Sequence, residues 1–513
     1  MTEEILINAT AQETRVAVLE RGALREMWIE RRARAGIVGG IYLGVVARVL
    51  PGMQAAFVEI GSARAAFLHA RDLPGGAADS IATQLRVGQR ILVQATKEPV
   101  GDKGARLSAR LSLAAPTLVY LPHGDGLNLS KRIDDAAARA RLTALLTDLH
   151  AELAGDVYDG NAYDDNARDG GLRDNEPLNN KPRGDEHGNH FRGGFILRTA
   201  AEDAARETIR GDMARLLRDW EDLRQRARRV DAPALLRANL PLALRAVRDF
   251  AGRGAATVRV DCADTYRRVK AFADETMTCA PRIEHYAEPR PIFDLRAVED
   301  DLRGALQRRV ALPSGGDLIF DQTEAMTTVD INTGSFVGAR DFGDTALRTN
   351  LEAAAEIARQ LRLRNIGGIV IVDFIELRDD DDRAEVIDAL RRELARDRDI
   401  ARVGAFSPLG LVEIARKRTR ASLEQVLTEP CPACRGRGVR TTAETACYDI
   451  LRQLLRQTSA GRSCRVLAAP AVIERLRFEE ADSLNDLQQR LGATIELQAA
   501  PEYRHDEFDV VAR

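Results

Sequence analysis

The order of apolar and polar positions divides the chain into stretches of different periodicity. Residues 1–35 predict short strands joined by an exposed turn. Residues 40–94 contain short apolar runs separated by Gly and Pro, which predict a small Greek-key β-barrel. Helical periodicity dominates residues 202–250, and strands alternate with helices from about residue 283 onward. The pattern therefore predicts a chain of several domains that combines helices and strands.

Residues 156–193 differ from the rest of the chain. They are rich in Asp, Asn and Gly and show no apolar periodicity. Such a segment cannot bury enough apolar surface to offset the entropy lost on ordering, so we predict a disordered insertion. His187 and His190 lie within it, and without a fixed scaffold they are better interpreted as solvated histidines than as metal ligands.

A strand–helix–strand unit is predicted between residues 318 and 375. Strand patterns cover 318–320 and 326–332, a helix runs roughly from 345 to 364, and a second strand covers 369–375. The stripe of apolar positions on the helix comprises Leu347, Leu351, Ala354, Ala358 and Leu361. This order predicts a right-handed βαβ unit with parallel, neighbouring strands. The last strand is apolar on both faces, as is typical of a central parallel strand.

Polar side chains stand near the carboxyl ends of both predicted strands. Asp330 and Asn332 share one face of the first strand, and Asp373 follows the apolar run of the second. A carboxylate among apolar neighbours is costly unless it meets a cation or several donors. Two converging carboxylates suit Mg²⁺, although each Asp could also only cap or hydrogen-bond local backbone. The run 379–382 precedes a helix and is expected only to complement its dipole.

Length and composition indicate how many domains the protein has and where in the cell it is expected. A chain of 513 residues is long enough for about three or four domains. The first residues lack the pattern of a signal peptide, and no apolar run is long enough to cross a bilayer, so we expect a cytoplasmic protein. The net charge of −3 gives no indication of nucleic-acid binding. One local basic run, Arg416 to Arg418 with Arg420, fits either RNA binding or a solvated helix face.

Cys431 and Cys434 form a CxxC pair followed by glycines at 436 and 438. This pattern resembles a zinc half-site, which supplies two of the four ligands of a structural zinc. The other ligands could come from Cys447, from Cys464 or from a second subunit. Because Cys447 lies on the apolar stripe of a predicted helix over 445–457, we expect it in the core. A metal-free pair is the alternative.

Long runs of the sequence resemble the ribonuclease E/G family, and its ribonuclease G branch in particular. The resemblance covers nearly the whole chain except the 156–193 insertion. The runs that carry it are 50–58, 321–334, 358–365, 410–413 leading to 416–420, and 507–511.

The resemblance implies an α+β multidomain fold, in which an S1 (OB-type) β-barrel is inserted in an RNase H-like domain. A DNase I-like α/β catalytic subdomain, a zinc link and a small C-terminal α/β domain follow. The expected bounds are 1–35 and 242–305 for the RNase H-like domain, 36–110 for the S1 domain, 111–241 for a 5′-sensor region, 306–427 for the catalytic subdomain, 428–438 for the zinc link and 439–513 for the small domain.

The resemblance also assigns chemistry to particular residues. It implies that Asp330 and Asp373 hold a catalytic Mg²⁺ and that Asn332 orients the attacking water or the phosphate. The products would carry 5′-phosphate and 3′-hydroxyl ends. Phe57 and Phe67 match base-stacking aromatics and Lys103 matches a basic RNA contact, whereas without the resemblance both phenylalanines would be interpreted as core.

A sensor for the 5′ end of RNA is implied by the run 194–202. Here Arg198 and Thr199 match residues that bind a 5′-monophosphate, and Val119 matches an apolar wall of that pocket. Pro408 stands where ribonuclease E carries a supporting arginine, and the acidic insertion immediately precedes the sensor strand. We therefore expect 5′-end sensing to persist in altered form.

The expected activity is Mg²⁺-dependent endonucleolytic cleavage of A/U-rich single-stranded RNA, stimulated by a 5′-monophosphate. The resemblance implies roles in ribosomal RNA 5′ maturation and messenger decay, and a homodimer or higher oligomer that shares Zn²⁺ across a two-fold axis. Two other readings remain open, namely a non-catalytic S1-domain RNA-binding protein and a DNA nuclease.

Overall fold

A computed structural model describes residues 3–34, 36–74, 80–99, 104–133, 135–159, 193–250, 257–277, 280–334, 342–457 and 463–512. The chain divides into two compact units, Met1–Leu423 and Glu424–Arg513. Across the described residues, every helix is too short or too polar to span a bilayer.

The first unit begins with a three-stranded meander and a barrel. The meander comprises β1 (Glu3–Ala9), β2 (Glu13–Glu20) and β3 (Ala23–Arg31). The barrel comprises β4 (Ile41–Leu50), β5 (Ala55–Glu59), β6 (Ala66–His69), the short helix α1 (Ile81–Gln84), β7 (Arg90–Lys97) and β8 (Arg106–Ser108). Because β4 pairs with both β5 and β7, the order β4-β5-β6-β8-β7 closes on itself. The predicted barrel is confirmed, and it is consistent with an S1 (OB-type) domain.

A small sheet and two long helices follow the barrel. They comprise β9 (Leu113–Ala114), β10 (Leu118–Leu121), β11 (Leu127–Leu129), α2 (Ala136–Asp159), β12 (Gly194–Leu197) and α3 (Arg206–Arg229). The predicted insertion begins too early, since residues 156–159 complete α2. Its remainder, apart from Gly193, lies outside the described residues, as do His187 and His190.

The helical pattern of residues 202–250 is interrupted by a strand that sequence periodicity did not predict. β13 (Ala234–Arg237) pairs with β4 at the edge of the barrel, with Ala234 opposite Leu43. After it come α4 (Leu242–Phe250), β14 (Thr257–Val260), α5 (Ala263–Thr276), β15 (Arg282–His285) and α6 (Val298–Ala305). β14 pairs in parallel with β1, so one sheet of order β15-β14-β1-β2-β3 joins segments on either side of the barrel.

The last sheet of the first unit carries the predicted βαβ unit. Its elements are β16 (Arg309–Ala311), β17 (Asp317–Gln322), β18 (Met326–Asn332), α7 (Phe342–Leu363), β19 (Gly368–Asp373), α8 (Asp380–Leu394), β20 (Ala401–Phe406) and β21 (Leu411–Arg416). The strand order is β16-β17-β18-β19-β21-β20. The expectation of parallel, neighbouring strands is confirmed for β18 and β19.

The helices α7 and α8 pack against one face of this sheet and bury its apolar side chains. The other face is open, since Ile369 is 50% exposed and Asp373 is also exposed. The expectation that β19 is buried on both faces is therefore wrong. β19 is nevertheless a central strand, paired with β18 on one side and β21 on the other, and Ile369 and Ile371 are the apolar residues on its open face.

The second unit is a small α/β body. Its elements are α9 (Leu423–Leu427), which begins at the unit boundary, α10 (Ala443–Gln457), β22 (Cys464–Ala468), α11 (Pro470–Phe478), α12 (Ala481–Leu491), β23 (Ile495–Ala499) and β24 (Phe508–Ala512). β22 lies in the middle of the three strands. The helix predicted over 445–457 is confirmed as α10, and Cys447 and Cys464 lie in the core of this unit.

Candidate active site

Asp330 and Asp373 are directly opposite each other on the neighbouring parallel strands β18 and β19. Neighbouring strands are about 4.8 Å apart, so both carboxylates rise from one small area of the open face. Asn332 lies two residues beyond Asp330 on the same face, and its Nδ2 donates a hydrogen bond to Asp330 Oδ2 at 3.1 Å. The structure thus brings together the three residues that the sequence placed at the ends of two strands.

All three side chains are exposed. Asp373 is therefore solvated and does not bear the cost of a carboxylate buried among apolar neighbours. What supports a cation here is the register, because it places two exposed acidic groups side by side. Alternation along β18 explains the exposure, since Val329 and Ile331 between them point into the core.

The turn that follows Asn332 is fixed by a close approach of two backbone segments. Gly334 has φ +60°, and a Cβ there would lie 2.3 Å from the carbonyl oxygen of Gly315. A Cβ on Gly316 would lie 2.5 Å from the carbonyl oxygen of Asn332. Only glycine, which has no Cβ, allows the two backbone segments to pack this closely. The turn at residues 313–316 thus supports the strand end that carries Asn332.

The chain beyond Asp373 is held by a residue that sequence reasoning missed. Asn350 of α7 is fully buried, its Nδ2 donates to the carbonyl oxygen of Ile375 at 2.8 Å, and its Oδ1 accepts from the amide of Ile375 at 3.0 Å. An asparagine side chain that satisfies both backbone groups of one residue fixes that residue strongly. The only signal in the sequence was a polar residue on the inner side of an amphipathic helix.

These residues fit a hard divalent cation. Two adjacent carboxylates with an amide neighbour are oxygen donors of the type that Mg²⁺ prefers, and Mg²⁺ usually keeps several water ligands. No cluster of three or more His, Cys, Asp or Glu side chains suited to a metal occurs among the described residues. A Mg²⁺ ion bound by Asp330 and Asp373 would therefore complete its shell with water and substrate oxygens.

Phe57 and Phe67 face each other on the outside of the barrel. They are directly opposite on β5 and β6, with ring centroids 6.0 Å apart in an edge-to-face arrangement. Both are half-buried, whereas Ala56 and Val58 beside Phe57 are buried, so the interpretation of these phenylalanines as core residues is wrong. Half-exposed aromatic rings on a small barrel offer a surface on which bases can stack. Lys103, the expected basic contact, lies outside the described residues.

The three predicted sensor residues belong to one small sheet. Val119 on β10 is opposite Ile196 on β12, and Arg198 and Thr199 directly follow β12. The Arg198 guanidinium is held by two acceptors, with Nη1 donating to the carbonyl oxygen of Ala115 and Nη2 to Asp249 Oδ1, each at 3.0 Å.

Asp249 of α4 is thus a supporting residue that the sequence did not indicate. Burial would raise the pKa of Asp249, but the charges and hydrogen bonds of Arg248 and Arg198 outweigh it and hold this pKa below its ordinary value. The carboxylate is therefore ionised at neutral pH and fixes the orientation of Arg198. A cavity of 1410 Å³ lies beside Thr199, with basic side chains that include Lys131, Arg132 and Arg402 in its wall.

The basic run at 416–420 is not a helix face, because it begins at the last residue of a strand. Arg416 is the last residue of β21 and is buried, where it bonds to Asp397 at 2.6 Å and to Asp399 at 3.0 Å. The Arg420 guanidinium stacks on the Trp28 ring at 3.7 Å. Both arginines are bound by side chains of the first unit, whereas the basic residues Lys417 and Arg418 are exposed.

The CxxC pair lies at the surface of the second unit. Backbone amides of Gly438 and Gly436 donate to the Cys434 sulfur and lower the pKa of this thiol, which favours the thiolate that binds metals. Cys447 differs, because burial raises the pKa of its thiol to about 11. The expectation that Cys447 belongs to the core is confirmed, which leaves Cys431 and Cys434 as a pair of candidate ligands.

Comparisons with known proteins agree with this architecture. A model of the ribonuclease E/G family matches residues 183–419. Ribonuclease G of Salmonella typhimurium is 43% identical over 526 aligned positions that cover 100% of both chains. Ribonuclease G of Haemophilus influenzae is 40% identical over 99% of each chain, and ribonuclease E of Nostoc sp. is 36% identical over 80% of this chain and 55% of its own.

An OB-type barrel and a sheet with paired carboxylates on its open face, in one chain, are features suited to processing nucleic acid. The similarity over the full length makes the class specific: the chain belongs to the ribonuclease E/G family, and to its ribonuclease G branch. Its relatives are endoribonucleases, and the protein is therefore an enzyme that cleaves RNA internally. The family assigned from the sequence is confirmed.

Proposed function

We propose that this endoribonuclease is Mg²⁺-dependent and cleaves A/U-rich single-stranded RNA at the open face of the β16–β21 sheet. The observation that carries the proposal is the register of Asp330 opposite Asp373 on parallel strands. Pairs of carboxylates at one point of a sheet repel each other unless a cation lies between them. A polyanionic substrate adds to that repulsion, so a bound divalent cation is the simplest account of the site.

In this mechanism, Asp330 and Asp373 hold the ion and Asn332 orients the attacking water or the phosphate. When bound, Mg²⁺ would lower the pKa of a water ligand and neutralise charge on the phosphodiester in the transition state. The hydrogen bond from Asn332 fixes the Asp330 carboxylate, while Asn350 fixes the chain beyond Asp373. Water attack at phosphorus with the 3′ oxygen as leaving group gives 5′-phosphate and 3′-hydroxyl ends.

The preference for single strands is proposed to come from the barrel. Bases in a duplex are stacked on each other and cannot lie against Phe57 and Phe67, whereas unpaired bases can. Stacking accepts every base, so the preference for A/U-rich sequence would follow from the ease with which such segments remain unpaired. Replacing both phenylalanines by alanine should weaken binding of an unstructured oligonucleotide far more than it changes cleavage of saturating substrate.

Stimulation by a 5′-monophosphate is proposed to depend on Arg198 and Thr199. The ion pair with Asp249 orients Arg198, so this carboxylate would perform the supporting task that Pro408 cannot. Cleavage of matched 5′-monophosphate and 5′-hydroxyl oligonucleotides tests the idea. Equal rates for the two substrates would refute it, and Asp249→Asn should reduce the ratio of the rates without abolishing cleavage.

A zinc ion held by Cys431 and Cys434 and by the same pair of a second subunit is proposed to link a homodimer. The exposure of Cys431, the partial exposure of Cys434 and the backbone amides that donate to Cys434 support this arrangement. Cys431→Ser should release zinc and dissociate the dimer, as measured by metal analysis and sedimentation. A stable dimer that lacks zinc would contradict the proposal.

The central experiment is cleavage of a 5′-monophosphorylated A/U-rich oligonucleotide with and without chelator. Asp330→Asn and Asp373→Asn should each abolish cleavage while leaving RNA binding intact. Asp388→Asn is the matched control, because Asp388 is an exposed aspartate on α8, which packs against the opposite face of the same sheet. If wild type and Asp330→Asn both bind RNA without cutting it, the protein acts as an S1-domain RNA-binding protein, and cleavage of DNA in preference to RNA would indicate a DNA nuclease.

The biological substrates are proposed to be ribosomal RNA precursors and messenger RNAs in the cytoplasm. Sequencing of RNA 5′ ends in cells with Asp330→Asn in place of the wild-type protein would identify them. Unchanged 5′ ends of ribosomal RNA would remove that part of the proposal and leave the enzymatic part intact.

A further inference from the structure

Two consecutive arginines lie at the edge of the open face that carries Asp330 and Asp373. Arg309 is the first residue of the edge strand β16, and Arg308 immediately precedes it. Their side chains are 72% and 67% exposed, so both guanidinium groups are accessible from solvent. Neither arginine has a role in the proposed cleavage mechanism.

The strand register places Arg309 in line with the carboxylates, and Arg308 reaches the same face through Asp321, which is two residues beyond Ile319 on β17. Arg309 is opposite Ile319 on β17, Ile319 is opposite Asp330 on β18, and Asp330 is opposite Asp373 on β19. These residues form one row across the sheet. Two strand spacings separate Arg309 from Asp330, a distance of about 10 Å between Cα atoms. An extended RNA strand that crosses the strands along this row would pass from the carboxylates to the arginines within about two nucleotides.

Both guanidinium groups are held by aspartates of β17. Arg308 forms a fork with Asp321 through Nε and Nη2, the latter at 2.6 Å from Oδ2. Arg309 Nη2 donates to Asp317 Oδ1 at 2.7 Å, and Asp317 is buried. These ion pairs leave Arg308 Nη1 and Arg309 Nε and Nη1 without a protein acceptor in the described part of the chain. A guanidinium fixed on one side offers its remaining donors at low entropic cost.

The acidic side chains of the open face favour basic groups such as Arg308 and Arg309 beside a bound RNA strand. Asp330 and Asp373 lie beside Glu413, which is opposite Ile371 and exposed. The charge of Asp330 also acts on Arg308, because Asp321 and, to a smaller extent, Asp330 raise the pKa of this guanidinium above its ordinary value. One divalent cation at the two aspartates neutralises only those two carboxylates. RNA phosphates on either side of the scissile bond would still face acidic groups unless a basic pair lies next to them.

We propose that Arg308 and Arg309 form a binding site for an RNA backbone phosphate one or two nucleotides from the scissile phosphodiester. The proposal rests on the proposed function of Asp330 and Asp373, since it takes the scissile phosphate to lie at those residues. Arg308 and Arg309 bind and align the strand, and they take no part in bond breaking. Each arginine contributes binding energy through charge-assisted hydrogen bonds to phosphate oxygens.

The first test measures RNA affinity in the Asp330→Asn background, with a 5′-monophosphorylated A/U-rich oligonucleotide as probe. Arg308→Gln and Arg309→Gln should each weaken binding by about threefold to tenfold. The slope of log affinity against log salt should decrease by about 0.7 for each lost phosphate contact. Arg267→Gln is the matched control, because Arg267 on α5 is an equally exposed arginine paired with an aspartate. It should change neither quantity.

A second test locates the phosphate. Oligonucleotides that carry a single neutral methylphosphonate at successive positions are compared on the parent and on the Arg308→Gln, Arg309→Gln protein. One position within two nucleotides of the cleavage site should weaken binding to the parent but not to the double variant. Equal losses for both proteins at every position, or no loss at any position, would overturn the proposal.

A structural role for the ion pairs predicts a different pattern. If the Arg308–Asp321 pair only joins β16 to β17, then Asp321→Asn and Arg308→Gln should have the same effect on stability and on RNA binding. If Arg308 binds phosphate, Asp321→Asn removes a repelling charge and should keep or tighten RNA binding, whereas Arg308→Gln weakens it. Should Arg308→Gln fail to fold, Arg308→Lys retains the charge and should keep the salt slope while losing part of the affinity. Cleavage that survives Asp330→Asn would refute the proposed function instead, whatever the arginine variants show.

Discussion

Glu26 provides the most demanding test of how the first unit holds together. This glutamate lies on β3, and its side chain is only 4% exposed. Arg362 of α7 donates to its Oε1 at 2.8 Å and Trp28 Nε1 donates to its Oε2 at 3.0 Å. Arg398 and Arg420 lie 3.9 and 3.7 Å from its carboxylate oxygens. One buried acid therefore compensates three arginines contributed by distant parts of the chain.

The substitution Glu26→Gln keeps the shape of the side chain and removes its charge. Removing one partner of a buried ion pair typically costs about 3–5 kcal/mol, because the remaining charge is left in a poorly solvated place. Arg362 retains Glu20, whose Oε1 accepts from it at 2.7 Å, so we expect the lower end, about 3 kcal/mol. Glu20→Gln is the control. Its side chain is partly solvated, so its loss should cost about 1 kcal/mol.

Urea unfolding followed by tryptophan fluorescence measures this difference. The chain has two tryptophans, so a Trp220→Phe background makes Trp28, which contacts Glu26 directly, the reporter. The expected result is a lower transition midpoint for Glu26→Gln with an unchanged slope. A loss for Glu26→Gln no larger than that for Glu20→Gln would refute the reasoning, because it would mean that the three arginines do not depend on this charge.

The pH dependence gives an independent check. Burial alone would raise the pKa of Glu26, but Arg362, Arg398 and Arg420 outweigh it and hold this pKa below its ordinary value. A carboxylate with a lowered pKa contributes stability that is fully present above the unfolded pKa of about 4.3 and is lost as pH falls through the folded pKa. The difference in stability between wild type and Glu26→Gln should therefore be constant near neutral pH and narrow at acid pH.

Two further substitutions test the active site, and one labelling experiment tests the second unit. Gly334→Ala should reduce the cleavage rate by about tenfold or more with little change in RNA affinity, because the new Cβ displaces the turn behind the active site. Gly410→Ala, which also has a positive φ but open space around it, is the control and should leave cleavage close to wild type. Asn350→Ala should destabilise the first unit by about 2–4 kcal/mol and lower the cleavage rate through Asp373, as measured by urea unfolding and a cleavage assay. The Cys447 thiol, with its pKa raised to about 11, should resist iodoacetamide at neutral pH until the second unit unfolds, as mass spectrometry would show.

The sequence predicted the barrel, the parallel pair β18 and β19 and the acidic residues at their ends, because these features depend on local alternation of side chains. It failed at Ile369 and Ile371, where apolar residues lie on an open face. Alternation shows that a strand has two faces, but it does not show which face a helix will cover when both are apolar. That choice depends on which face of the sheet α7 and α8 pack against, and the alternation of side chains within β19 does not encode it.

The ion pairs could not be predicted for a different reason. Glu26 and Arg362 are 336 residues apart, and Arg198 and Asp249 are 51 apart. A charged residue in an amphipathic pattern is ordinarily assigned to the solvent side, so Arg416 and Arg420 were interpreted through their neighbours in the sequence. In the structure, Arg416 is buried and Arg420 is partly buried, and partners from other segments satisfy both. Only tertiary structure reveals such pairs.

Residues assigned to function on the barrel and on the β16–β21 sheet share one structural property. Phe57 and Asp330 each lie between two buried neighbours on a strand, and each points outward from a sheet that is packed on its other face. The inward side chains fix the strand, so the outward ones can meet a ligand without contributing to the core. Asn350 acts from the buried side of the sheet and Gly334 from the turn that ends β18, and a change at either would shift the strand itself. Substitutions on the open face should therefore separate activity from stability, whereas substitutions behind it should affect both.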